Sequence, residues 1–427
     1  MDKKYQDCRR MRKSSKKELP QLRFPQEKLI PWNTFTLSEI GQILGGLSGK
    51  SAPDFGEGEL YVTYKQVYER GYISLNECER VVVREEEHQT KLAYGDILVT
   101  MTSETRDDIG RVSVIGTKVI PNVYLNSFCF IFRPYNADFF SPSFAIQIFQ
   151  SVFFLRQVRL IAQGYIRVNI SKSSFANIQI SIPATDFERK QIADCLSSID
   201  EQIDKQRKTI DALRKHKQAL MQQLFPQRGK NIPILRLKKY RSNGTWKLIL
   251  GKMLFECKTS KAGNKPLPIL AISQELGAIP RNDINYNVIV SPENLANYKV
   301  VRKGDFIISL RSFQGGIEYS EYDGLCSPAY VVLRKNMDVD NTFFKYYFKT
   351  KPFVHELNKN LEGIRDGKII RYSQFAELKI PVPPTKNEQT DIAAIFDSLD
   401  KLITAYSLKL KSLLAHKKGL MQQLFPQ

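Results

Sequence analysis

The sequence predicts an α+β fold in which two α/β domains are separated by two long helices that form an antiparallel coiled coil, with a pseudo-twofold internal repeat. The first observation is that residues 220–227 return letter for letter as residues 420–427, and the match extends back to the Ile-Pro and Val-Pro steps that precede each helix. The second is that short β-branched and aromatic runs, separated by Gly, Asn, Asp and Pro, fill the region before each copy. The third is that apolar residues recur at heptad spacing ahead of each copy.

The composition indicates a globular chain with a polyanionic partner. A length of 427 residues, 42% of them hydrophobic, is enough for two cores. The 64 Lys and Arg residues outnumber the 44 Asp and Glu residues, and the net charge of +20 favours a partner that carries phosphate. Charge alone does not distinguish DNA, RNA and anionic lipid, and a merely basic globular protein is the plainer alternative.

Membrane and secretory segments are not expected. No run reaches the roughly 18 apolar residues that a membrane span requires, and the basic start lacks an apolar signal region. The six cysteines are scattered without a CxxC pair, and the four histidines form no ligand cluster, so neither a disulfide framework nor a metal site is expected. We therefore expect a cytoplasmic protein without a membrane partner.

The two domains open alike, behind a basic tail. Residues 1–18 are rich in Lys and Arg and almost free of apolar residues, and we expect them to be disordered. Leu-Pro-Gln-Leu-Arg-Phe opens residues 19–183 and is followed by Trp32. Ile-Pro-Ile-Leu-Arg-Leu, followed by Trp246, lies near the start of residues 228–383. These two ranges are the predicted α/β domains.

The first domain is predicted to be mixed and rich in loops. Apolar runs with strand character occupy residues 60–64, 81–83, 97–100, 111–115 and 128–132. Residues 139–161 have helical spacing, whereas residues 166–182 alternate like strands. The domain is therefore expected to combine a sheet with helices that follow it.

The second half repeats the order of the first. Gly304-Asp305 resembles Gly95-Asp96, and residues 370–383 mirror residues 170–183. The similarity is strong at the edges of the domains and weak inside them. We expect one shared scaffold to carry two different surfaces.

Each domain is followed by a predicted helix, at 184–227 and at 384–427. Thr-x-x-Glu at 185–188 and at 385–388 has capping-box form, in which the Thr hydroxyl and the Glu carboxylate both satisfy amides of the first turn. At 1.5 Å per residue each helix would be about 58 Å long, which is too long for a small core. Since each helix follows its own domain, an intramolecular pair is best made antiparallel.

Apolar residues fill the a and d positions of both helices and define the seam of the predicted coiled coil. The seam residues are Ile192, Leu196, Ile199, Ile203, Ile210, Leu213, Leu220 and Leu224 in the first helix, and Ile392, Phe396, Leu399, Ile403, Tyr406, Leu410, Leu413, Leu420 and Leu424 in the second. Gln206, Lys217 and Lys417 also fall on the seam. These polar residues are expected to weaken the pairing or to fix its register.

No catalytic motif is found. The Gly-Gly-Leu-Ser-Gly-Lys-Ser run at 45–51 has Leu44 where a nucleotide-binding loop requires Gly. The run is predicted either to present Lys50 and Ser51 to a backbone phosphate or to be a plain surface loop. Val-Pro-Pro-Thr at 382–385 lacks the Asp or Asn before it, and the aromatic after it, that amino-methylation of a base would need.

In the absence of a catalytic motif, the remaining candidates are residues that bind DNA. Arg and Gln can pair with base edges, while Lys and Ser hold phosphate. Candidates just before the final strands are Gln163, Tyr165, Arg167 and Asn169 in the first domain, and Arg365, Asp366, Lys368 and Arg371 in the second. Candidates that follow the Gly-Asp strands are Arg106 and Arg111, then Arg311, Ser312 and Gln314. Any single one is better explained as an ordinary surface residue. As groups at equivalent places in both halves, they favour DNA contact.

This arrangement resembles the specificity subunit of Type I restriction-modification systems. The resemblance rests on the Leu-Pro-Gln-Leu-Arg-Phe opening, Gly-Asp-Ile-Leu at 95–98, the Ile-Pro and Pro-Val-Pro-Pro stops, Asn-Glu-Gln at 387–389 and both Leu-Met-Gln-Gln-Leu-Phe endings. It spans the chain after the tail. One departure is that the Glu-Gln pair usual in the family is Glu188-Arg189 in the first copy, so a polar contact shared by both copies is not expected there.

The resemblance implies that two target recognition domains each recognise one half of a split double-stranded DNA target. It also implies that the paired helices set the gap and dock two modification subunits, which bring S-adenosylmethionine and the adenine methylation site. Restriction subunits would bring ATP- and Mg-dependent translocation and cleavage, so no cofactor is expected in this chain. Because the domain interiors differ, the sequence itself predicts an asymmetric target rather than a palindrome.

Two other classes of protein stay open. A stand-alone DNA methyltransferase or nuclease with an unrecognised active site would act without partners. A coiled-coil interaction protein indifferent to nucleic acid would retain duplex DNA only at very low salt and without sequence preference. The missing catalytic motifs favour the non-catalytic specificity subunit.

Overall fold

The computed structural model describes residues 19–69, 71–117, 122–136, 139–263, 266–283, 295–359 and 370–426. The basic tail predicted at 1–18 lies outside them. The chain forms two compact units. The first unit holds the described residues up to Gln206 together with those from Lys409 onward, and the second holds those from Arg207 to Leu408. Each of the two long helices therefore contributes one half to each unit.

The first unit is built on a central sheet. Its strands are β1 (Trp32–Thr36), β2 (Gly41–Gly45), β3 (Phe55–Val62), β4 (Glu79–Val81), β5 (Ile97–Thr100), β6 (Thr102–Ser103), β7 (Val112–Val114), β8 (Val123–Leu125), β9 (Cys129–Pro134), β10 (Val168–Asn169) and β11 (Gln179–Pro183). The central sheet has the antiparallel order β2-β9-β5-β7, and β4-β3-β8 form a second sheet. β10 pairs with β6, and β11 returns to pair with β1, so the domain closes where the long helix begins.

The central sheet of the first unit is buried on both faces. Successive side chains of a strand point to opposite sides of the sheet, and in this sheet both sides contact a core cluster. Ile97 and Val99 of β5 belong to the main core cluster, together with Phe130 and Phe132 of β9. Leu98, between the first two, belongs to a second cluster. This double burial explains the continuous apolar runs that predicted these strands.

Short helices cover the two core clusters of the first unit. They are α1 (Leu37–Ile40), α2 (Tyr64–Glu69), α3 (Pro142–Ile148), α4 (Val152–Ile161) and α5 (Lys172–Ala176). α2 packs on the second cluster through Val67, and the other four pack on the main one. The helical segment predicted at 139–161 is two helices, because Ser151 accepts a hydrogen bond from the Phe154 N–H and starts a new one. The strand-like alternation predicted over 166–182 is wrong at its centre, where Ser171 caps α5. Over the described ranges no single helix is long and apolar enough to cross a membrane, although α3 and α4 together, bent by 62°, pass that test.

After the long helix α6 (Asp186–Leu224), the second unit repeats the scheme. Its strands are β12 (Lys247–Leu250), β13 (Phe255–Lys258), β14 (Leu270–Ser273), β15 (Gly277–Pro280), β16 (Lys299–Val301), β17 (Phe306–Ile308), β18 (Glu318–Tyr319), β19 (Gly324–Cys326), β20 (Val331–Lys335) and β21 (Lys379–Val382). Its helices are α7 (Gly251–Leu254), α8 (Ser312–Gly315), α9 (Asn341–Tyr347), α10 (Lys351–Asn358) and α11 (Tyr372–Ala376), ahead of the second long helix α12 (Lys386–Leu424). The central sheet has the order β13-β20-β17-β18, and β12 pairs with β21 as β1 does with β11. The predicted internal repeat is therefore confirmed in the topology.

Both long helices begin after the predicted threonine and run for 39 residues. The Thr185 hydroxyl accepts from the Glu188 N–H at 3.2 Å, and the Thr385 hydroxyl accepts from the Glu388 N–H at 3.4 Å. This is one half of the predicted capping box. The two glutamate carboxylates are buried and accept hydrogen bonds from arginine instead.

Each buried glutamate is paired with the arginine that opens its domain. Arg23 donates to both carboxylate oxygens of Glu188, at 2.8 and 2.6 Å. Arg236 donates to both oxygens of Glu388, at 2.8 Å each. A bidentate pair of this kind is strong and directional. It fixes the start of each domain to the first turn of the long helix that follows that domain.

The position after each glutamate differs between the copies, as the departure from the family pattern led us to expect. The Gln389 side chain accepts from the Asp340 N–H at 2.9 Å. Arg189 instead donates to the Pro183 carbonyl at 2.6 Å, and its guanidinium lies 5.0 Å from the centre of the Phe139 ring. The two units therefore share the glutamate contact but not the next one.

Trp32 and Trp246, one near the start of each unit, allow a matched stability test. Trp246 donates from Nε1 to Glu388 at 3.2 Å, whereas the buried Trp32 Nε1 has no hydrogen-bond partner among the described residues. We expect Trp246→Phe to lower the unfolding free energy of the second unit by about 1.5–3 kcal/mol more than Trp32→Phe lowers that of the first, because it also removes a hydrogen bond to a charged group. Hydrogen exchange, followed by mass spectrometry on peptides of each unit, measures the difference. Equal losses would contradict the expectation.

Within each unit, the amino-terminal half of one long helix packs against the carboxyl-terminal half of the other. In the first unit, Ile192 and Leu196 share a core cluster with Leu424. In the second, Leu224 shares one with Ile392. Low numbers on one helix meet high numbers on the other, so the pair is antiparallel, as predicted.

The predicted seam faces inward along both helices. Ile192, Leu196, Ile199, Ile203, Leu224, Ile392, Phe396 and Leu424 are buried, and Leu213, Leu220, Leu399, Ile403, Leu413 and Leu420 are half-buried. The two seam lysines have acidic partners: Lys417 donates to Asp200 at 2.7 Å in the first unit, and Lys217 donates to Asp400 at 2.6 Å in the second. These two ion pairs are related by the internal repeat and fit the expected role in fixing the register.

The repeated Leu-Phe endings of the long helices complete the two cores. Phe425 packs edge-on against Trp32, with 6.3 Å between ring centroids, in the core of the first unit. Phe225 stacks on Phe396 at 5.5 Å in the core of the second. The repeated octapeptide therefore has the same structural role in each unit.

A backbone hydrogen bond fixes each helix end to the start of a domain. The Leu22 N–H donates to the Gln423 carbonyl at 2.9 Å in the first unit. The Leu235 N–H donates to the Gln223 carbonyl, also at 2.9 Å, in the second. The carboxyl-terminal turn of each long helix is thus joined to the opening segment of the unit in which it lies.

Candidate nucleic-acid interface

Residues 163–169, which follow α4 and end with β10, form a hairpin turn that we call the tip. Gln163 and Asn169 exchange backbone hydrogen bonds at 2.9 and 2.8 Å. Val168 and Ile170 are buried and anchor the end of the tip in the core. The four predicted contact residues of this segment are all exposed: Gln163, Tyr165, Arg167 and Asn169. The fold therefore gathers them on one protruding turn.

The predicted contacts Arg106 and Arg111 follow β6, the strand that pairs with β10 beside the tip. Arg106 donates from Nη1 to the Arg159 carbonyl of α4 at 3.5 Å. Arg111 donates to Asp108 at 2.8 Å, and this hydrogen bond is the main reason that the pKa of Asp108 is lowered to about 2. Both arginine side chains are exposed, so this segment places two guanidinium groups next to the tip, together with acidic residues that pair with arginine.

The sequence pattern did not single out Arg159 and Ile166, which belong to the same surface. Arg159 lies on α4 and forms an ion pair with Asp107 at 3.3 Å. Ile166 is 91% exposed, although its place in an alternating run suggested a strand. The residue that could have indicated a turn in the sequence is Gly164. In the structure its φ is +111°, a value that favours glycine.

The glycine-rich loop before β3 has a structural role. Lys50 donates to the Val82 carbonyl at 2.5 Å and forms an ion pair with Glu87, and its side chain is 4% exposed. Ser51 donates to Asp54 from its N–H at 2.8 Å and from its hydroxyl at 2.9 Å. The expectation that Lys50 binds phosphate is corrected, because its charge is already paired inside the fold. Ser51 is exposed, but both of its donors are used in the cap.

In the second unit, the turn after β17 exposes two of its three candidates. Arg311 and Gln314 are exposed at α8, where the Gln274 side chain donates to the Arg311 carbonyl at 2.9 Å. Ser312 is fully buried, and its hydroxyl accepts from the Ser309 N–H at 2.9 Å. The expectation that Ser312 contacts DNA is corrected, since its hydroxyl shapes the turn that presents its neighbours.

The next strand carries a partly buried ion pair. Lys349 Nζ is 2.5 Å from Glu318 of β18, and the Glu318 side chain is buried whereas that of Lys349 is 26% exposed. Desolvation raises the pKa of Glu318 and lowers the pKa of Lys349.

Arg371 is exposed at the start of α11, where its N–H donates to the Gln374 side chain at 2.9 Å. The other candidates of that segment, Arg365, Asp366 and Lys368, lie outside the described residues. The exposed candidates that the structure describes in the second unit are therefore Arg311, Gln314 and Arg371. They differ in kind from the tip of the first unit, which also carries an aromatic and an apolar side chain.

Metal-binding chemistry is not visible in the described part of the chain. No group of three or more His, Cys, Asp or Glu side chains there could hold an ion. The cysteines it contains are all free: Cys78, Cys129, Cys195, Cys257 and Cys326. The candidate residues thus offer hydrogen bonds, positive charge and stacking surfaces, which are the elements of nucleic-acid binding.

A family model matches both halves of the chain. The model of the Type I restriction modification DNA specificity domain matches residues 30–215 and 251–414. Each match covers most of one domain and most of the long helix that follows it. Together they cover more than half of the chain.

Two relatives from Methanocaldococcus jannaschii are similar in sequence. One, assigned as the MjaX specificity subunit of a type I restriction enzyme, is 23% identical over 347 residues, covering 78% of each chain. The other, the type I restriction enzyme MjaVIII specificity subunit, is 27% identical over 282 residues, covering 60% of this chain and 63% of the relative.

Solved structures show the same fold at low sequence identity. The S subunit of a Type-I restriction-modification system from M. genitalium aligns with a TM-score of 0.56 and 16% identity, covering 96% of this chain and 99% of that one. A chain from a structural study of assembly and conformational transition in the type I R-M system aligns with a TM-score of 0.55 and 17% identity, covering 93% and 98%. Two domains joined by two long helices are therefore an architecture that these proteins share.

Proposed function

The chain belongs to the family of Type I restriction modification DNA specificity domains, and on that premise we propose how its two units act. It is a non-catalytic DNA-recognition subunit of a Type I restriction-modification complex. Each unit recognises one half of a bipartite double-stranded DNA target. The relatives support this assignment, since both bear the name of specificity subunits.

The observation that carries the proposal is one scaffold repeated with two different sets of exposed contacts. The first unit presents the tip and Arg106, and the second presents Arg311 and Gln314. Arg and Gln pair with base edges in the major groove. Because the two surfaces are unlike, the two half-sites are unlike and the target is asymmetric.

We also propose that the paired long helices set the gap between the half-sites and dock two modification subunits. Their equal length of 39 residues supports this, and so do the ion pairs that the repeat relates. A pair with internal twofold symmetry offers the same surface twice, as two identical partners require. The modification subunits would bring S-adenosylmethionine, and restriction subunits would bring ATP and Mg, in the cytoplasm where the target DNA lies.

An exchange of domains tests the modular recognition of DNA. Residues 20–183 are replaced by the first domain of another family member that keeps an arginine to pair with Glu188 and a tryptophan to pack on Phe425. We expect one half-site to change completely, while the other half-site and the gap stay as they were. Genome-wide methylation mapping, in cells that supply the modification subunits, measures all three. A change in both half-sites would contradict the proposal.

Shortening both helices tests the spacing. Removing residues 204–210 and 404–410 deletes one heptad from each helix, which keeps the seam in phase and leaves the two seam lysines with their partners. Seven residues at 1.5 Å each are about 10 Å, so the gap should shrink by roughly three base pairs at 3.4 Å each. Methylation mapping measures the gap, and an unchanged gap would exclude the helices as the spacer. Deleting the heptad from only one helix is the control, and it should impair pairing.

A further inference from the structure

The tip carries two side chains whose exposure the fold does not explain. Tyr165 is 101% exposed and Ile166 is 91% exposed, whereas Ala162 and Val168 on either side are buried. Single apolar side chains are common on protein surfaces. Two adjacent ones at the end of a protruding turn form an apolar surface of the kind that marks a contact site.

The backbone holds these side chains in a fixed direction. The two hydrogen bonds between Gln163 and Asn169 close the tip. Gly164 has φ +111°, and a Cβ at this position would lie 2.1 Å from the Arg167 carbonyl oxygen, so the turn requires glycine. Because the tip is already ordered, little conformational entropy is lost when it binds.

Arginines lie around the tip, with acidic residues among them. Arg167 lies within the tip, and Arg106 follows β6 and donates to the Arg159 carbonyl at 3.5 Å. The Arg159 side chain on α4 forms an ion pair with Asp107 at 3.3 Å. Guanidinium groups hold DNA phosphates and set the position of a protein on the duplex. Apolar side chains between such groups would face the bases rather than the backbone. A charged rim around an apolar pair fits duplex DNA.

We propose that Tyr165 and Ile166 insert between two base pairs of the first half-site and kink the DNA there. The inference rests on the proposed function, since it assigns a mode of contact to the same unit. Apolar side chains that enter a base step replace part of the lost stacking, and the bend lets the duplex contact more protein. Recognition at that step then depends on how easily it unstacks, which favours a pyrimidine–purine step without any contact to base edges.

The test measures binding of the subunit, assembled with its modification subunits, to duplexes carrying the target that methylation mapping defines. In each duplex one base pair of the first half-site is replaced by a mismatch, which lowers the cost of unstacking. We expect one position at which the mismatch tightens binding of the natural subunit about 10-fold. Tyr165→Ala and Ile166→Ala should each lose that gain and bind the matched target roughly 10-fold more weakly.

Three further variants separate insertion from other roles of the tip. Tyr165→Phe keeps the ring and should retain the gain. Gly164→Ala keeps both side chains but cannot close the turn, so it should behave like Tyr165→Ala. Tyr135→Ala is the matched control, since Tyr135 is an exposed tyrosine of the same unit that follows β9, and it should bind as the natural subunit does.

The outcomes distinguish the insertion from the function on which it rests. If the natural subunit prefers its target yet no mismatch tightens binding, the insertion is overturned and the proposed function stands. If Tyr135→Ala loses the gain as Tyr165→Ala does, the effect is not specific to the tip, and the insertion is again overturned. If no duplex is preferred to one of unrelated sequence, the proposed function fails and the insertion fails with it.

Discussion

Glu388→Ala is expected to lower the unfolding free energy of the second unit by about 3–5 kcal/mol. The substitution leaves the Arg236 side chain, only 10% exposed, without the carboxylate to which it donates twice at 2.8 Å. It also leaves the buried Trp246 Nε1 without its acceptor. A buried charge that has lost its partner costs far more than a broken surface pair.

Urea titrations followed by hydrogen exchange on peptides of the second unit measure this loss. Glu377→Ala is the matched control, because it breaks an exposed ion pair to Lys252 at 2.8 Å and should cost about 0–1 kcal/mol. Combining Glu388→Ala with Arg236→Met should recover much of the loss, since no buried charge then remains. Equal costs for Glu388→Ala and Glu377→Ala would show that the buried pair does not stabilise the unit.

Phe425→Ala should destabilise the first unit, and Phe225→Ala the second, each by about 3–5 kcal/mol, because each truncation leaves a cavity in a core. The order along the chain suggests the opposite assignment. Phe425 follows the second domain but packs on Trp32 of the first unit. Phe225 follows the first domain but stacks on Phe396 of the second.

Hydrogen-exchange rates of peptides from both units, measured in Phe425→Ala and in Phe225→Ala, show which unit each substitution destabilises. Leu408→Ala is the control, since Leu408 is an exposed leucine of α12, and it should change either unit by less than about 0.5 kcal/mol. Loss of protection in the second unit alone after Phe425→Ala would refute the assignment.

Local patterns in the sequence were sufficient to predict the repeat, the start and end of both long helices, and the antiparallel seam. Thr185 and Thr385 are short-range caps, and heptad spacing is a property of one helix, so neither depends on distant contacts. The seam lysines were predicted to weaken the pairing or to fix its register, but their acidic partners were not predicted. Asp200 and Asp400 become partners only through the antiparallel alignment, which a single helix does not encode.

Contacts between distant segments account for what the sequence did not predict. Glu188 has the spacing of a capping residue, yet it pairs with Arg23, 165 residues away, because a buried bidentate ion pair outweighs a hydrogen bond to a first-turn amide. Lys50 and Ser312 occupy glycine-rich turns and resemble ligand-binding residues. Both side chains turn inward, where buried polar groups must find partners within the protein.

The hydrogen bond from Leu22 to Gln423, equivalent to the one from Leu235 to Gln223, means that the contacts of this chain close into a ring. In the order of these contacts, each domain is followed by a long helix and each long helix by a domain, although the covalent chain is linear. A circularly permuted chain could open between residues 227 and 232 and join Gln427 to Ser15. The linker between residues 423 and 22 would then have the same number of residues as the present linker between residues 223 and 235. Apart from contacts made by the opened segment itself, such as the hydrogen bond from the Lys230 N–H to the Gln227 carbonyl, the described contacts within each unit could then form unchanged.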